Sequence, residues 1–173
     1  EHRTSIQAQG LYFMGRAYYS SASKQQNEES REKYRRALEI DPDYAQAYAA
    51  MALTYLDDWR RRWGENPDEA VVKALSFAQQ AIDVDDNNPQ AHFAQGYIYL
   101  YAKAEHERAI EAAKAALALD PNYANGYALL SSAYFFSGYP DLALPLDLKA
   151  KQLDPGNSNI YFVHLGRSYY FQG

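Results

Sequence analysis

The sequence contains no cysteine, which excludes disulfides, thiolate nucleophiles and cysteine-ligated zinc. No run of about 18 apolar residues occurs in it, so no segment is expected to span a bilayer. Basic residues are in short supply, with 17 Lys and Arg against 22 Asp and Glu and a net charge of −5. A general nucleic-acid binder needs a basic face, so no nucleic-acid partner is expected, and peptides, proteins and uncharged ligands stay open. There is no glycine-rich phosphate loop, no GxSxG elbow and no HExxH. The four histidines, at 2, 92, 106 and 164, include no pair at the i, i+4 spacing of a helical metal site. No catalytic residue, cofactor or metal site is therefore expected, and the chain reads as a non-enzyme.

What remains is a chain of 173 residues, 47% apolar and 15% aromatic, able to bury one core. Seventeen of its aromatics are tyrosines. Each tyrosine offers a large packing face and a hydroxyl, which suits half-buried grooves as well as cores. The start, Glu1-His2-Arg3-Thr4-Ser5, is neither an initiator methionine nor a signal peptide, and predicts a piece of a longer protein.

The stretch from Pro121 to Pro155 sets the ruler: 34 residues from proline to proline, holding two amphipathic segments parted by Ser137-Gly138-Tyr139-Pro140. Two signatures repeat along the chain in phase with it. One is a small residue followed three positions later by tyrosine, at Gly15/Tyr18, Ala52/Tyr55, Gly96/Tyr99, Ser131/Tyr134 and Gly166/Tyr169. Residues three apart share a helix face, and the small one lets a neighbouring helix approach. The other closes a helix: Ala37-Leu38-Glu39-Ile40-Asp41-Pro42 and Ala116-Leu117-Ala118-Leu119-Asp120-Pro121, with looser versions at 81–86 and 150–155. Proline stops the helix by lacking an N–H and clashing with the preceding turn.

Helix hairpins at a 34-residue period resemble the tetratricopeptide repeat (TPR) family. The expected fold is all-α, a right-handed superhelical solenoid of TPR hairpins with four complete repeats and one terminal helix. The spacing predicts a single domain over 1–173, with repeats near 6–42, 43–86, 87–121 and 122–155 and a half repeat over 156–173. Helices are expected near 6–21, 28–40, 44–62, 67–84, 89–102, 106–119, 123–137, 140–153 and 158–171.

The second unit is longer than the rest. Ala81 falls 29 residues after Ala52, whereas Ala150 falls 19 after Ser131. The extra residues are Asp57 to Asn66, carrying Trp59-Arg60-Arg61-Arg62-Trp63. Trp59, Arg61 and Trp63 are candidate partner contacts; the alternative is an extended helix with one solvated face and a tryptophan packed on the next helix. Asn66-Pro67-Asp68-Glu69 then restarts a helix, with Asn as N-cap and Pro at the first position. Ala52-Leu53-Thr54-Tyr55 with this insert, Gly96 to Tyr101, and Leu165 to Tyr170 resemble the C-terminal repeat region of bacterial class III adenylate/guanylate cyclases. Similar segments occur in some bacterial winged-helix regulators. That resemblance implies a regulatory or oligomerisation appendage of a bacterial signalling protein, cytoplasmic or periplasmic, with the catalytic or DNA-binding part elsewhere.

In helix-pair solenoids the first helices line the concave side. Counting from each small residue, offsets of −3, +1, +4 and +5 are expected to face that groove. They select Tyr12, Arg16, Tyr19, Leu53, Phe93, Tyr97, Tyr101, Phe135, Phe136, Arg167 and Tyr170 as concave-face peptide-binding candidates. The set is mostly apolar and fits an apolar or amphipathic protein segment. An amide row one turn nearer each helix start, Gln9, Gln46, Gln90 and Asn125, either binds the backbone of an extended peptide or is simply solvated. The fifth first-helix lacks a second helix in this sequence, so self-association through that end is a further expectation. Pro145 falls inside an expected helix, where it should remove a hydrogen bond.

Overall fold

The computed structural model describes residues 5–19 and 23–157. Within them the chain forms eight helices in sequence: α1 (Ile6–Tyr19), α2 (Lys24–Ile40), α3 (Ala45–Arg61), α4 (Pro67–Val84), α5 (Pro89–Ile98), α6 (His106–Leu119), α7 (Ala124–Phe136) and α8 (Pro140–Leu153). A π-helical segment, Tyr99–Lys103, extends α5, and a 3₁₀ turn, Pro155–Asn157, follows α8. The expected helix over 158–171 lies outside the described residues, as do Arg167 and Tyr170.

The helix-stop motifs act as repeated turns. The N–H groups of Asp41, Asp85, Asp120 and Asp154 donate to the carbonyls of Ala37, Ala81, Ala116 and Ala150 at 2.9–3.1 Å. The side chains of Asp41, Asp85 and Asp120 then accept from the N–H two residues on, at 3.2, 3.1 and 2.9 Å. Such Asx turns mimic a backbone turn. The same geometry therefore reverses the chain after α2, α4 and α6, and the hairpins stack in register.

Helix starts are set by side chains. Asn66 Oδ1 accepts from the Glu69 N–H at 3.3 Å with Pro67 at the first helical position, as the sequence predicts. Ser23 caps α2 by accepting from the Gln26 N–H at 3.2 Å, while its hydroxyl bonds Gln26 Oε1 at 2.8 Å. This N-cap starts α2 at Lys24, four residues before the expected 28. His92 is half-buried and holds the preceding loop. Its Nε2 lies 2.8 Å from the Asp86 carbonyl, and Tyr127 makes the matching bond to the Pro121 carbonyl at 3.1 Å.

The small-residue positions carry the packing. A Cβ at Gly15 would lie 2.5 Å from the Tyr34 ring, and one at Gly96 would lie 2.8 Å from Leu129 and 2.9 Å from Ala112. Ala52 and Ser131 are fully buried at the equivalent sites. Alanines dominate the three core clusters, so the helices approach closely; the central cluster runs from Ala49 and Ala52 through Ala74 and Ala78 to Ala91 and Ala94. Tyr55 stacks on Phe77 with centroids 5.4 Å apart, joining two clusters.

The insert of the second unit lengthens α3, in keeping with the helix expected near 44–62. α3 continues to Arg61 and ends on Arg62 in the left-handed region (φ 55°), with the Trp63 N–H donating to the Asp58 carbonyl at 3.0 Å. The extra turns carry Asp58, which pairs with Arg31 of α2 at 2.6 Å and accepts from Asn27 at 2.8 Å. The basic triplet is dispersed: Arg60 pairs with Asp57, Arg61 lies over the Trp63 ring at 5.1 Å, and Arg62 closes the helix. Trp59 packs on the central core cluster. α8 continues through Pro145 to Leu153.

Candidate binding groove

First helices contact one another along the stack, α1 with α3, α3 with α5, and α5 with α7, which defines the concave side. Two adjoining cavities of about 250 and 260 Å³ occupy it and share Tyr19, Leu53, Phe93 and Asn125 as walls. Arg16, Tyr34, Ala50, Gln90 and Tyr123 complete the first; Asp57, Arg60, Tyr97, Tyr101 and Ser132 are among the residues completing the second.

The structure thus brings together six of the predicted groove residues: Arg16, Tyr19, Leu53, Phe93, Tyr97 and Tyr101. The row at offset +1 forms the floor, since Arg16, Leu53, Tyr97 and Ser132 all line the cavities. Other candidates sit elsewhere. Tyr12 is a core residue, 4% exposed, packed between Tyr34 and Tyr44 with centroids at 5.7 and 5.2 Å. Its ring is long enough to reach α2 and the start of α3 across the small Gly15 position, which turns it inward. Phe135 and Phe136 lie past the cavity rim at the end of α7, where Phe136 meets Tyr101 edge-on at 6.1 Å and stacks on His106 at 6.3 Å. Trp59 is half-buried in the core, and Arg61 and Trp63 pack on each other away from the groove.

Bonds across the concave side hold the groove in shape. The Tyr12 hydroxyl meets the Gln90 amide, 3.2 Å from Oε1 and 3.1 Å from Nε2, and so ties α1 to α5. The Tyr19 phenol donates to the Asp57 carboxylate, and Arg60 donates twice to its Oδ1, at 2.5 and 3.0 Å. The Asp57–Arg60 pair is therefore internally neutralised.

The phenols are firmly protonated. Burial, with the Asp57 carboxylate next, pushes Tyr19 well above the ordinary phenol range. Burial pushes Tyr97 up to about 12, with Tyr101 adding to the effect, and burial raises Tyr123 also. All three remain neutral phenols, able to donate hydrogen bonds, at neutral pH. Among the described residues, no group of three or more His, Asp or Glu could hold a metal ion, and no helix is long and apolar enough to cross a membrane.

Other lining residues, Asp57, Arg60, Gln90, Tyr123 and Asn125 among them, are outside the predicted binding set, although Asp57 lies at offset +5 from Ala52 on a row expected to face the groove. Asn125 and Gln90 belong to the amide row, which was a readable signal. Arg60, eight residues after Ala52, is in phase with the groove-facing offsets on the helix expected over 44–62, so it too was readable.

Hairpins of this period, register and turn geometry define the class: the chain is an all-α solenoid of TPR helix hairpins, and a TPR-repeat family model matches residues 15–58. The same fold appears in TTC0263, a thermophilic TPR protein of Thermus thermophilus, at a TM-score of 0.77 and 21% identity, covering 93% of this chain and 81% of that one. It appears again in pilF of Pseudomonas aeruginosa, at a TM-score of 0.68 and 19% identity over 95% of this chain and 68% of that one. In sequence the chain is 39% identical over 83 residues to "Putative adenylate cyclase 3" of Rhizobium meliloti (strain 1021). That match takes in 45% of this chain and 14% of the relative's length.

Proposed function

We propose that the chain is a non-catalytic protein-interaction scaffold whose concave groove holds an extended, partly apolar peptide segment. The observation that carries this is the pair of adjoining cavities with aromatic walls and two amides, Gln90 and Asn125, on one side. Each cavity has room for a large side chain, whereas a helix, roughly 10 Å or more across with its side chains, needs a wider trough. An extended segment presents alternate side chains about 7 Å apart on one face, so successive ones can enter two adjoining cavities. Amides offer both donor and acceptor to its backbone. Phenols at Tyr19 and Tyr97 give large contact area at low conformational cost.

Selection from a random-peptide display library tests this reading. Wild type is expected to enrich sequences with aromatic or aliphatic residues at alternate positions, and Leu53→Asp is expected to lose them while retaining its helical circular dichroism. Equal enrichment by both proteins would refute the groove as the site.

A second reading is favoured by the partial match to the cyclase-named relative: the module serves as a regulatory appendage of a larger bacterial signalling protein. In that setting the occupant of the groove is a segment of the same protein. Expressing the matched region with and without its flanking domain, and comparing protection of groove amides from hydrogen exchange, separates an internal occupant from an external one.

A further inference from the structure

We propose that the outer face of α1 is a self-association surface, at which two copies of this chain pair through antiparallel first helices. Ile6, Phe13 and Met14 are 86%, 59% and 56% exposed, and Gly10 and Ala17 are exposed between and beyond them. At about 100° per residue these five positions form one stripe, centred about 100° round the helix from Arg16 and about 160° from Tyr19. The surface is therefore separate from the groove, and the proposal stands apart from the peptide-binding reading.

The repeat register shows what such a face takes. Counted from the small residue of each hairpin, Gly10, Phe13, Met14 and Ala17 correspond to Ala47, Ala50, Met51 and Thr54 of α3. All four are buried there, with Ala47, Ala50 and Met51 packed in one cluster with Tyr34, Ala37 and Leu38 of α2. The matching positions of α5 and α7 are buried too, apart from half-buried Gln95. In every later hairpin this face receives an antiparallel helix. On α1, no helix among the described residues covers it.

The order of residues makes α1 its own complement. In an antiparallel pair with Gly10 opposite Phe13 of the second copy, Ile6 falls opposite Ala17 and Met14 opposite Gln9, so Phe13 and Ile6 each meet a small residue. A Cβ at Gly10 has nothing within 4 Å, leaving an open notch for the incoming ring. α1 has no acidic residue in its sequence and Arg16 as its one basic residue, which falls opposite Gln7 in this pairing. No like charges oppose. The contact is isologous, which closes at a dimer.

Sedimentation velocity over a concentration series tests the proposal, with circular dichroism as the check on folding. Wild type is expected to shift from monomer to dimer. Phe13→Glu should weaken the dimer about thirtyfold or more with helicity unchanged. Gly10→Leu fills the notch, so it too should weaken the dimer while raising the melting temperature. Val72→Glu, at an exposed position on α4, should leave the dimer intact. A wild type that stays monomeric throughout overturns the proposal. So does a dimer that survives Phe13→Glu, which would place the contact elsewhere, for instance on residues 158–171. Retention of the selected peptides by Phe13→Glu keeps this outcome distinct from the fate of the groove.

Discussion

Asp147 offers the sharpest energetic test. It lies on α8 at 1% exposure, and neither carboxyl oxygen has a hydrogen-bond partner. Burial pushes its carboxyl up to about 6, against a small opposing pull from the Ser131 hydroxyl. That pull is weak because Ser131 has one proton and donates it to the Ala143 carbonyl at 3.0 Å. The equivalent positions hold Ala78 and Ala113, both fully buried, so alanine is compatible with the packing. The folded-state value lies above the unfolded one, so the native state binds the proton more tightly. Asp147 therefore adds no penalty below about pH 4, costs stability progressively as pH rises toward 6, and levels off above that. A shift of about two units corresponds to roughly 3 kcal/mol, and solvent screening reduces it to about 2 kcal/mol.

Asp147→Ala should accordingly stabilise the fold by about 2 kcal/mol at pH 7.5 and by much less at pH 4. In a domain of this size that is a rise of roughly 4–8 °C in Tm at the higher pH. Urea or thermal unfolding of both proteins at the two pH values measures it. Equal differences at both pH values, or a destabilised variant at pH 7.5, would refute the reasoning.

Three further outcomes follow from the packing. Gly15→Ala forces a Cβ against the Tyr34 ring and should destabilise by about 1–3 kcal/mol, whereas Gly10→Ala meets open space and should stabilise by about 0.5–1 kcal/mol, as chemical denaturation will show. Asp58→Ala removes the partner of Arg31 and Asn27 together, and should cost about 2–3 kcal/mol in the same assay. A double-mutant cycle with Arg31→Met should recover part of that loss.

The fold was legible because its punctuation is local chemistry. Each Asp-Pro or Asp-Asp stop forms its turn from residues within a few positions, so the repeat length survives any change in the rest. The α2 start was less legible, since its cap, Ser23 with Gln26, lies outside the two repeated signatures. The insert after Asp57 was legible as a continuation of the helix expected over 44–62, but its anchor was not: Arg31 and Asn27 of another helix hold Asp58, a tertiary effect with no local signature. Within the groove, the offset rule placed Arg16, Leu53 and Tyr97 on the floor but put Tyr12 there as well. A phase rule fixes direction, not side-chain length, and Tyr12 is long enough to pack inward against Tyr34 and Tyr44. The buried Asp147 could not be read at all, because its desolvation depends on two helices closing over it.

The central claim is that the concave side captures an extended segment through the cavities around Tyr19, Leu53, Phe93 and Tyr97. The structure of this chain with a peptide from the display selection tests it most directly. The account predicts an extended backbone along the groove, alternate side chains in the two cavities, and main-chain groups within about 3 Å of Gln90 or Asn125. A peptide bound as a helix, or seated outside the concave side, would contradict it.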